Sequence, residues 1–428
     1  MDKIVSLCKR RGFVYPGSEI YGGLANTYDY GPLGRELKNN IKALWWKYFV
    51  QLREDMVGLD GNILLNPKVW EASGHIKKFK DALVECKKCH HRFRPDKLSD
   101  LKKCLDCGGE LTEPRLFSGM FKTVIGPIEE EGLVTYLRPE TAQNIFVNFK
   151  NVLDSTARKI PFGIAQMGKS FRNEITTGNF IFRTIEFEIA ELEYFIQPES
   201  DWNKIFNNWL DYIYGFADFI GLNRKKFYNN ELSEKEKAHY SKRTVDIEYE
   251  FPWGQDELWA VAYRTDYDLS AHQAASGKNL EYFDEETKKK YIPHVIEPTF
   301  GIDRTMLALL CEGFSEEKDR IVLKLNSKVA PYKAAVFPLL ANKPELVKLA
   351  KKIYDDLRKI FMVDFDDRGN IGKRYYSQDE IGTPWCVTVD FDSLKDKTVT
   401  VRDRDTMKQE RIKIKDLIKN LRNRLENV

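Results

Sequence analysis

Four cysteines carry the most specific chemistry in the chain. Cys86 and Cys89 have two residues between them, as do Cys104 and Cys107, and fourteen residues separate the two pairs. Two such knuckles can bring four thiolates to the corners of a tetrahedron, the geometry Zn²⁺ favours, and Gly108-Gly109 lets the backbone turn tightly after the last ligand. The same spacing is open to three other readings: unligated thiols, a disulfide pair, or His90 or His91 in place of one thiolate. A closed site of four cysteines leaves no position for water, which assigns it to folding and not to bond chemistry.

A second grouping lies across two expected strands between Pro161 and Ile196, with a turn at Thr176-Thr177-Gly178-Asn179. Phe171-Arg172-Asn173-Glu174 falls on the first strand and Arg183, Phe187 and Glu191 on the second, so that Arg172 and Glu174 share one face, as do Arg183, Phe187 and Glu191. Arginines can grip a phosphate bidentately, a phenylalanine ring can stack on a planar base, and carboxylates can hold an amine. The alternative is a cross-strand ion-pair ladder with Phe187 in the core. A third grouping runs from Glu297 to Arg304. Glu297, Thr299 and Gly301 share a strand face, and Arg304 lies in the first turn of the helix that follows, a place suited to a polyphosphate tail. Here the alternative is a helix-start arginine paired with Asp303.

These residues need elements to hold them. Leu37, Ile41, Leu44, Trp45, Tyr48 and Leu52 recur at helical spacing after Pro32, which predicts a long amphipathic helix stopping at Gly58. A short strand, Ile63-Leu64-Leu65, is expected to end at Pro67. Residues from about 81 to 115 read as a cysteine-bearing insertion, and the charged, helical stretch at about 200–245 as another. Strands are expected from Val245 to Asp268 and from Ile292 to Gly301, the latter running into a helix with Met306, Leu309 and Leu310 on its apolar face. Beyond Pro331, strand, helix and strand alternate through Ala334–Phe337, Leu346–Ile360 and Trp385–Val389, which predicts a small α/β domain. The fold class is therefore α+β, with a first unit over 1–330 and a second over 331–428.

Composition bounds the rest. The chain has 428 residues, enough for two to four domains, and its 42% hydrophobic content excludes a disordered chain. No apolar run approaches the ~20 residues needed to cross a bilayer. The first ten residues lack a signal-peptide core, so the expected location is the cytoplasm, where thiols and metal ligands come before disulfides. With 68 basic against 65 acidic side chains, the net charge of +3 does not announce a nucleic-acid binder, and any such role must come from local patches.

Taken together, Arg172-x-Glu174, Arg183-x3-Phe187 and the strand-to-helix step ending at Arg304 resemble motifs 2 and 3 of the class II aminoacyl-tRNA synthetases. The long helix with Trp45 and Trp46, and the strand after it, resemble motif 1, which forms the dimer interface in that class. The run from Gly23 to Gly34, Ser73-Gly74-His75, Leu137-Arg138-Pro139-Glu140-Thr141-Ala142-Gln143 and Arg264-Thr265-Asp266-Tyr267-Asp268-Leu269 resemble the homodimeric glycyl-tRNA synthetases, over essentially the whole chain.

The resemblance implies a class II antiparallel-sheet catalytic domain with a zinc-binding insertion, an anticodon-binding domain, and a homodimer acting on glycine, ATP and tRNA(Gly). It implies that Arg172 and Arg304 are catalytic, with Arg172 on the α-phosphate and Arg304 on the γ-phosphate. Asn173, Glu174, Phe182, Arg183, Phe187, Glu257, Leu258 and Gly301 complete the implied ATP site, with Mg²⁺ held between Glu257 and the phosphates. Glu140, Glu191 and Glu297 would surround the glycine ammonium, with Thr299 where the family more often has serine and Arg94 as a further substrate contact. Cys86, Cys89, Cys104 and Cys107 would hold structural Zn²⁺ and help position RNA. The best-matched parts of the C-terminal unit are Gly372-Lys373-Arg374-Tyr375 and the string from Asp379 to Trp385. From Lys408 to Arg424 there are seven basic residues against two acidic, a local charge for a phosphate backbone or simply a solvated helix face.

Overall fold

The computed structural model describes residues 1–426 except 94, 96–97, 99, 101 and 174–177. Glu174, Arg94 and the first half of the expected turn at 176–179 thus lie outside the described residues. The centre is a seven-stranded sheet. In chain order its strands are β1 (Met56–Gly58), β2 (Phe162–Phe171), β3 (Glu186–Ile196), β4 (Phe227–Glu231), β5 (Arg243–Phe251), β6 (Gly254–Thr265) and β7 (His294–Gly301), in the spatial order β4-β5-β6-β7-β3-β2-β1. All neighbours are antiparallel except β1, which runs parallel to β2.

One face is covered by α1 (Pro32–Trp46), α4 (Trp202–Ile220) and α6 (Ile302–Gly313). Pro32 occupies the first turn of α1, and Leu37, Ile41 and Trp45 are buried along one side. The helix ends earlier than Gly58. After a wider π-type turn, Lys47–Gln51, the chain leaves the helix at Leu52, because Met56–Gly58 pairs with Gly163–Ala165 as the sheet edge. Trp45 is fully buried against Phe49 and Phe300, which leaves Trp46, over Gly58, as the exposed member of the expected interface pair.

α4 is amphipathic and fully integrated. Asp201 caps it by accepting from the Lys204 amide, and Phe206, Trp209, Ile213, Phe216 and Ile220 enter the main core. The stretch at 200–245 therefore belongs to the sheet layer, since β4 also comes from it. The opposite face is covered at one end by α3 (Ala142–Thr156) and α5 (Tyr267–Ser276), around Phe146, Phe149, Phe162, Phe195, Leu269 and Val295. The strand expected at Ile63–Leu65 is reduced to a single bridge, Leu64 to Leu137, and Pro67 opens helix α2 (Pro67–Ala72) instead of closing a strand.

Between these parts, the strands Lys80–Glu85, Arg92–Phe93 and Arg115–Ser118 form a small sheet that carries the cysteines. Its own core is Val84, Cys86, Cys104 and Leu111. The C-terminal part has a five-stranded mixed sheet in the order Val363–Phe365, Ala334–Pro338, Trp385–Val389, Thr398–Asp403 and Gln409–Lys413, with helices Pro344–Leu357 and Ile371–Ile381. Buried ions join it to the first part. Asp379, fully buried, takes Arg320 at 2.6 Å and Arg402 at 2.8 and 3.0 Å, while Arg404 donates to the Leu325 carbonyl at 2.8 Å.

Candidate active site and metal-binding knuckle

Strand register organises the site. On one face of the sheet, side chains of β2, β3 and β7 meet in rows. The first row is Ser170 and Phe187. The second is Gly168, Ile189 and Gly301, and the third is Gln166, Glu191 and Thr299. The fourth is Ile164, Glu193 and Glu297. A fifth, Phe162, Phe195 and Val295, closes the series under α3.

The first two rows open into a cleft lined by Arg172, Phe182, Arg183, Phe187, Glu257, Leu258, Thr299, Gly301 and Arg304. Arg172 lies just past the end of β2, not within it. Its Nε donates to the Pro139 carbonyl at 3.1 Å, and its guanidinium lies 5.4 Å from the Phe187 ring. Arg183 follows the 3₁₀ turn Phe180–Phe182 and precedes β3, so neither arginine belongs to a cross-strand ladder. The Asn173 amide donates to the Gly119 carbonyl at 2.9 Å. Arg304 spans the cleft. Its Nη1 donates to the Glu257 carbonyl at 2.8 Å and to Oε2 of Glu257 at 2.9 Å, its Nε donates to the Phe182 carbonyl at 3.2 Å, and it covers the Phe182 ring at 4.4 Å. Partial burial works against the Glu257 charge, but Arg304, with Arg172 and Arg183, outweighs it and holds the carboxyl below its usual range. Asp303 is not the partner of Arg304. It is buried and bound to Lys38 at 2.6 Å, to the Glu188 amide at 2.6 Å and to the Tyr30 hydroxyl.

The third and fourth rows form an acid chamber. Glu191 accepts from the Thr141 amide at 2.6 Å and from its hydroxyl. Glu140 accepts from Gln143 Nε2 at 3.0 Å, and its other oxygen lies 3.3 Å from His75 Nε2. Arg264, 1% exposed, is the arginine at the floor. A register shift between Tyr263 and Thr265 turns it inward, as a bulge re-aims a side chain. Its Nη1 bonds both oxygens of Glu297 at 2.9 Å, its Nε and Nη2 bond Asp268 at 2.8 and 2.9 Å, and its carbon sits 3.7 Å from the Tyr240 ring centre. Burial, reinforced by Glu191 and Glu140, pushes Glu297 up to about 8 despite Arg264. Burial and Glu140 also raise Glu191, and burial with Glu297 raises Glu193 well above the usual range. Burial opposes ionisation of Glu140 too, yet His75, with Arg264, keeps it below the usual range. Glu140, Glu191, Glu193, Glu297 and Asp268 thus crowd one guanidinium, an environment that favours a small added cation.

Residue types and spacing did not point to Arg264, Asp268, Glu193, Gln166 or His75 as site members. Arg264 and Asp268 did carry a signal, an arginine and an acid four residues apart at a strand-to-helix junction, but their third partner, Glu297, is remote in sequence. Among the described residues, Gln166 and Glu193 are buried with side-chain polar atoms that meet no protein partner, and both point to this face.

In the knuckle, all four thiol sulfurs lie within 4.8 Å of one another, with Cys86 Sγ 3.5 Å from Cys107 Sγ and Cys89 Sγ 3.6 Å from Cys104 Sγ. No disulfide joins them. His90 and His91 are exposed and turn to Glu85 and Asp106, away from the thiols. A side chain at position 109 would place its Cβ 2.9 Å from Cys86 Sγ, so Gly109 keeps the cluster closed. Four converging thiols of this geometry can hold one metal ion.

Residues 123–312 match the family tRNA synthetase class II core domain (G, H, P, S and T), and residues 333–424 match the family anticodon binding domain. The chain is 51% identical to the glycine–tRNA ligase of Thermobifida fusca, over 99% of this chain and 98% of that protein. It is 50% identical to the glycine–tRNA ligase of Treponema denticola, over 100% and 97%. The chain belongs to the glycine–tRNA ligase family. A class II synthetase core and an anticodon-binding domain therefore account for its two main sheets. In this synthetase the basic run at the C-terminus is partly spent internally, Arg411 on Asp390 at 2.7 Å and Arg424 on Glu410. Lys408, Lys413, Lys415, Lys419 and Arg422 are exposed. Arg374, in one of the best-matched strings, is buried and donates to the carbonyls of Pro338, Arg368, Asp367 and Gly369, which makes it scaffolding. No helix among the described residues is long and apolar enough to cross a membrane.

Proposed function

We propose that the protein activates glycine with ATP to glycyl-adenylate and pyrophosphate, then transfers the glycyl group to the 3′-terminal ribose of tRNA(Gly). The observation that carries this reading is the juxtaposition of an acid chamber around Arg264 with an arginine-lined cleft on the same sheet face. The first step is an in-line attack of the glycine carboxylate on the α-phosphate, so catalysis is positioning plus neutralisation of charge. Arg172 bridges that carboxylate and the α-phosphate. Phe187 stacks on adenine, Arg183 and Arg304 take the outer phosphates, and Glu174 meets the adenine amine. Phe182, Asn173, Leu258 and Gly301 shape the cleft. Glu257 can share Mg²⁺ with the phosphates, where the ion supplies charge neutralisation.

Glycine has no side chain to grip, so selection works by exclusion. Glu140, Glu191 and Glu297 receive the ammonium, Thr299 narrows the space beside it, and Arg94 is a further contact. Cys86, Cys89, Cys104 and Cys107 hold Zn²⁺ as a structural ion. The unit over 331–428 binds the anticodon arm with the exposed lysines contacting phosphates, the catalytic unit over 1–330 pairs as a homodimer through the region of α1, and the enzyme works in the cytoplasm. The test is ATP–pyrophosphate exchange with each amino acid offered separately to zinc-loaded protein. Exchange with glycine alone is expected. Exchange with no amino acid, or with threonine, proline or histidine, would sink the reading.

A further inference from the structure

The string Ser73-Gly74-His75 has no role in the chemistry above, yet it ends beside both halves of the amino-acid site. α2 stops at Ala72, and Gly74, at φ +82°, turns the chain so that the next short helix, His75–Lys78, starts with its first side chain facing inward. A Cβ at position 74 would meet His239 and Tyr267 only at an ordinary contact distance of 3.6 Å, so the backbone conformation, and not lack of room, calls for glycine. A positive φ of this kind favours glycine.

His75 is 6% exposed, with Trp70 edge-on at 5.4 Å and Phe79 tilted at 5.9 Å. Its Nδ1 is 2.8 Å from the Ser73 hydroxyl and its Nε2 is 3.3 Å from Glu140 Oε2. With the hydroxyl donating to Nδ1, Nε2 carries the proton and donates to the carboxylate. The other oxygen of Glu140 is held by Gln143, which also donates to Asp268 at 2.9 Å and accepts from His272 Nε2 at 2.8 Å. Each oxygen of Glu140 therefore faces its own donor, Gln143 at 3.0 Å and His75 at 3.3 Å.

Phe79, one turn on, faces the other half of the site. Its ring lies 5.8 Å from the Arg172 guanidinium, and it is packed so closely that a Cβ on Gly119 would fall 2.5 Å from it. The Phe79 carbonyl accepts from the Gly119 amide at 3.1 Å, and the Gly119 carbonyl accepts from Asn173.

We propose that Ser73–Phe79 is a positioning strut for the amino-acid pocket, in which His75, fixed by Ser73, aims Glu140 at the ammonium while Phe79 supports Arg172 at the carboxylate. This rests on the glycine-activation reading. A glycine zwitterion is short, so its two ends tolerate little relative movement of the groups that meet them, and one rigid turn of chain fixes both. The His75 arm of the strut acts only through Glu140, at the ammonium, whereas the Phe79 arm reaches an arginine shared with the α-phosphate; loss of His75 alone therefore moves glycine affinity and leaves ATP affinity in place.

The test is ATP–pyrophosphate exchange on the full zinc-loaded chain, with KM for glycine and for ATP measured separately. His75→Leu removes the donor and should raise the glycine KM about tenfold or more, the size expected for one lost hydrogen bond to a charged group, with the ATP KM within about twofold. His75→Gln offers an amide donor in its place and should recover most of the loss. If His75→Leu does not fold, His75→Asn, too short to reach Glu140, replaces it. Glycine exchange by the parent protein together with an unaltered glycine KM in the donor-less variant overturns the strut alone, as does a rise in both KM values that glutamine fails to rescue. A parent protein that exchanges no glycine brings down the ligase reading, and the strut with it.

Discussion

Two ends of one sheet face, four residues apart along β3, solve opposite problems. At Phe187 the sheet is open, and the charged groups above it, Arg172 and Arg304, reach it from beyond the strand ends and rest mainly on backbone carbonyls, with one half-exposed ion pair between Arg304 and Glu257. At Glu191 and Glu193 the sheet is sealed, and Glu140, Glu191, Glu297 and Arg264 are already held by protein partners, while Glu193 and Gln166 are buried without one among the described residues. Carbonyls are weak partners that a phosphate can displace. Paired buried ions are costly to disturb, and removing one partner leaves the other stranded. Under the proposed assignment, one surface is yielding toward a large charged nucleotide and unyielding toward a very small amino acid.

The strongest way to break this comparison is at the open end. Arg172→Ala should abolish ATP–pyrophosphate exchange, a loss of at least about 10³-fold, with little change in the unfolding midpoint. Full exchange in that variant would defeat the site assignment. At the sealed end the effect should fall on stability. Arg264→Leu strands Glu297 and Asp268 and should cost about 3–5 kcal/mol in denaturant unfolding. A loss under about 1 kcal/mol would mean the chamber relaxes, and the contrast with the open end would vanish.

The chamber also sets a pH dependence. Glu297, raised to about 8 in the folded chain by burial and its acidic neighbours, binds a proton more readily folded than unfolded. Its share of stability is therefore complete at low pH and is lost as pH climbs through that value, at a slope of up to about 1.4 kcal/mol per pH unit for one group. Glu191 and Glu193 are shifted in the same direction. Unfolding curves from about pH 5 to pH 8 should show this decline, glycine should reduce it, and Glu297→Gln should flatten it. A pH-independent stability over that range would mean that Arg264 alone balances the acids. The smallest effect is expected at Thr299, on the border between the two ends. Thr299→Ser removes one methyl group and should weaken discrimination against alanine by about tenfold at most, read as the ratio of kcat/KM values in exchange.

What could be read from the sequence was whatever is local. The cysteines lie within one short segment, and Gly301 to Arg304 crosses a single strand-to-helix junction, so spacing alone placed them. Arg304 paired with Glu257 instead of Asp303 because the helix start faces β6, a relation between distant segments. Trp45 and Trp46 look equivalent in a helical pattern, and only the packing of Phe49 and Phe300 decides which is interior. Ile63–Leu65 has strand composition but no neighbour beyond Leu137 to pair with. Arg264 escaped notice because its inward turn depends on a register shift between β6 and β7, which no single strand's sequence records.

The row pattern has one further consequence. Strands advance about 3.4 Å per residue, so the rows of Phe187 and Glu191 stand about 14 Å apart. The sheet is in effect a gauge of fixed length, with a ring at one mark and a carboxylate at the other. A ligand whose planar base and amine are closer or farther apart engages only one mark. Inserting a single residue between Phe187 and Glu191 would not lengthen this gauge but would flip one mark to the opposite face, into the core against α1 and α4.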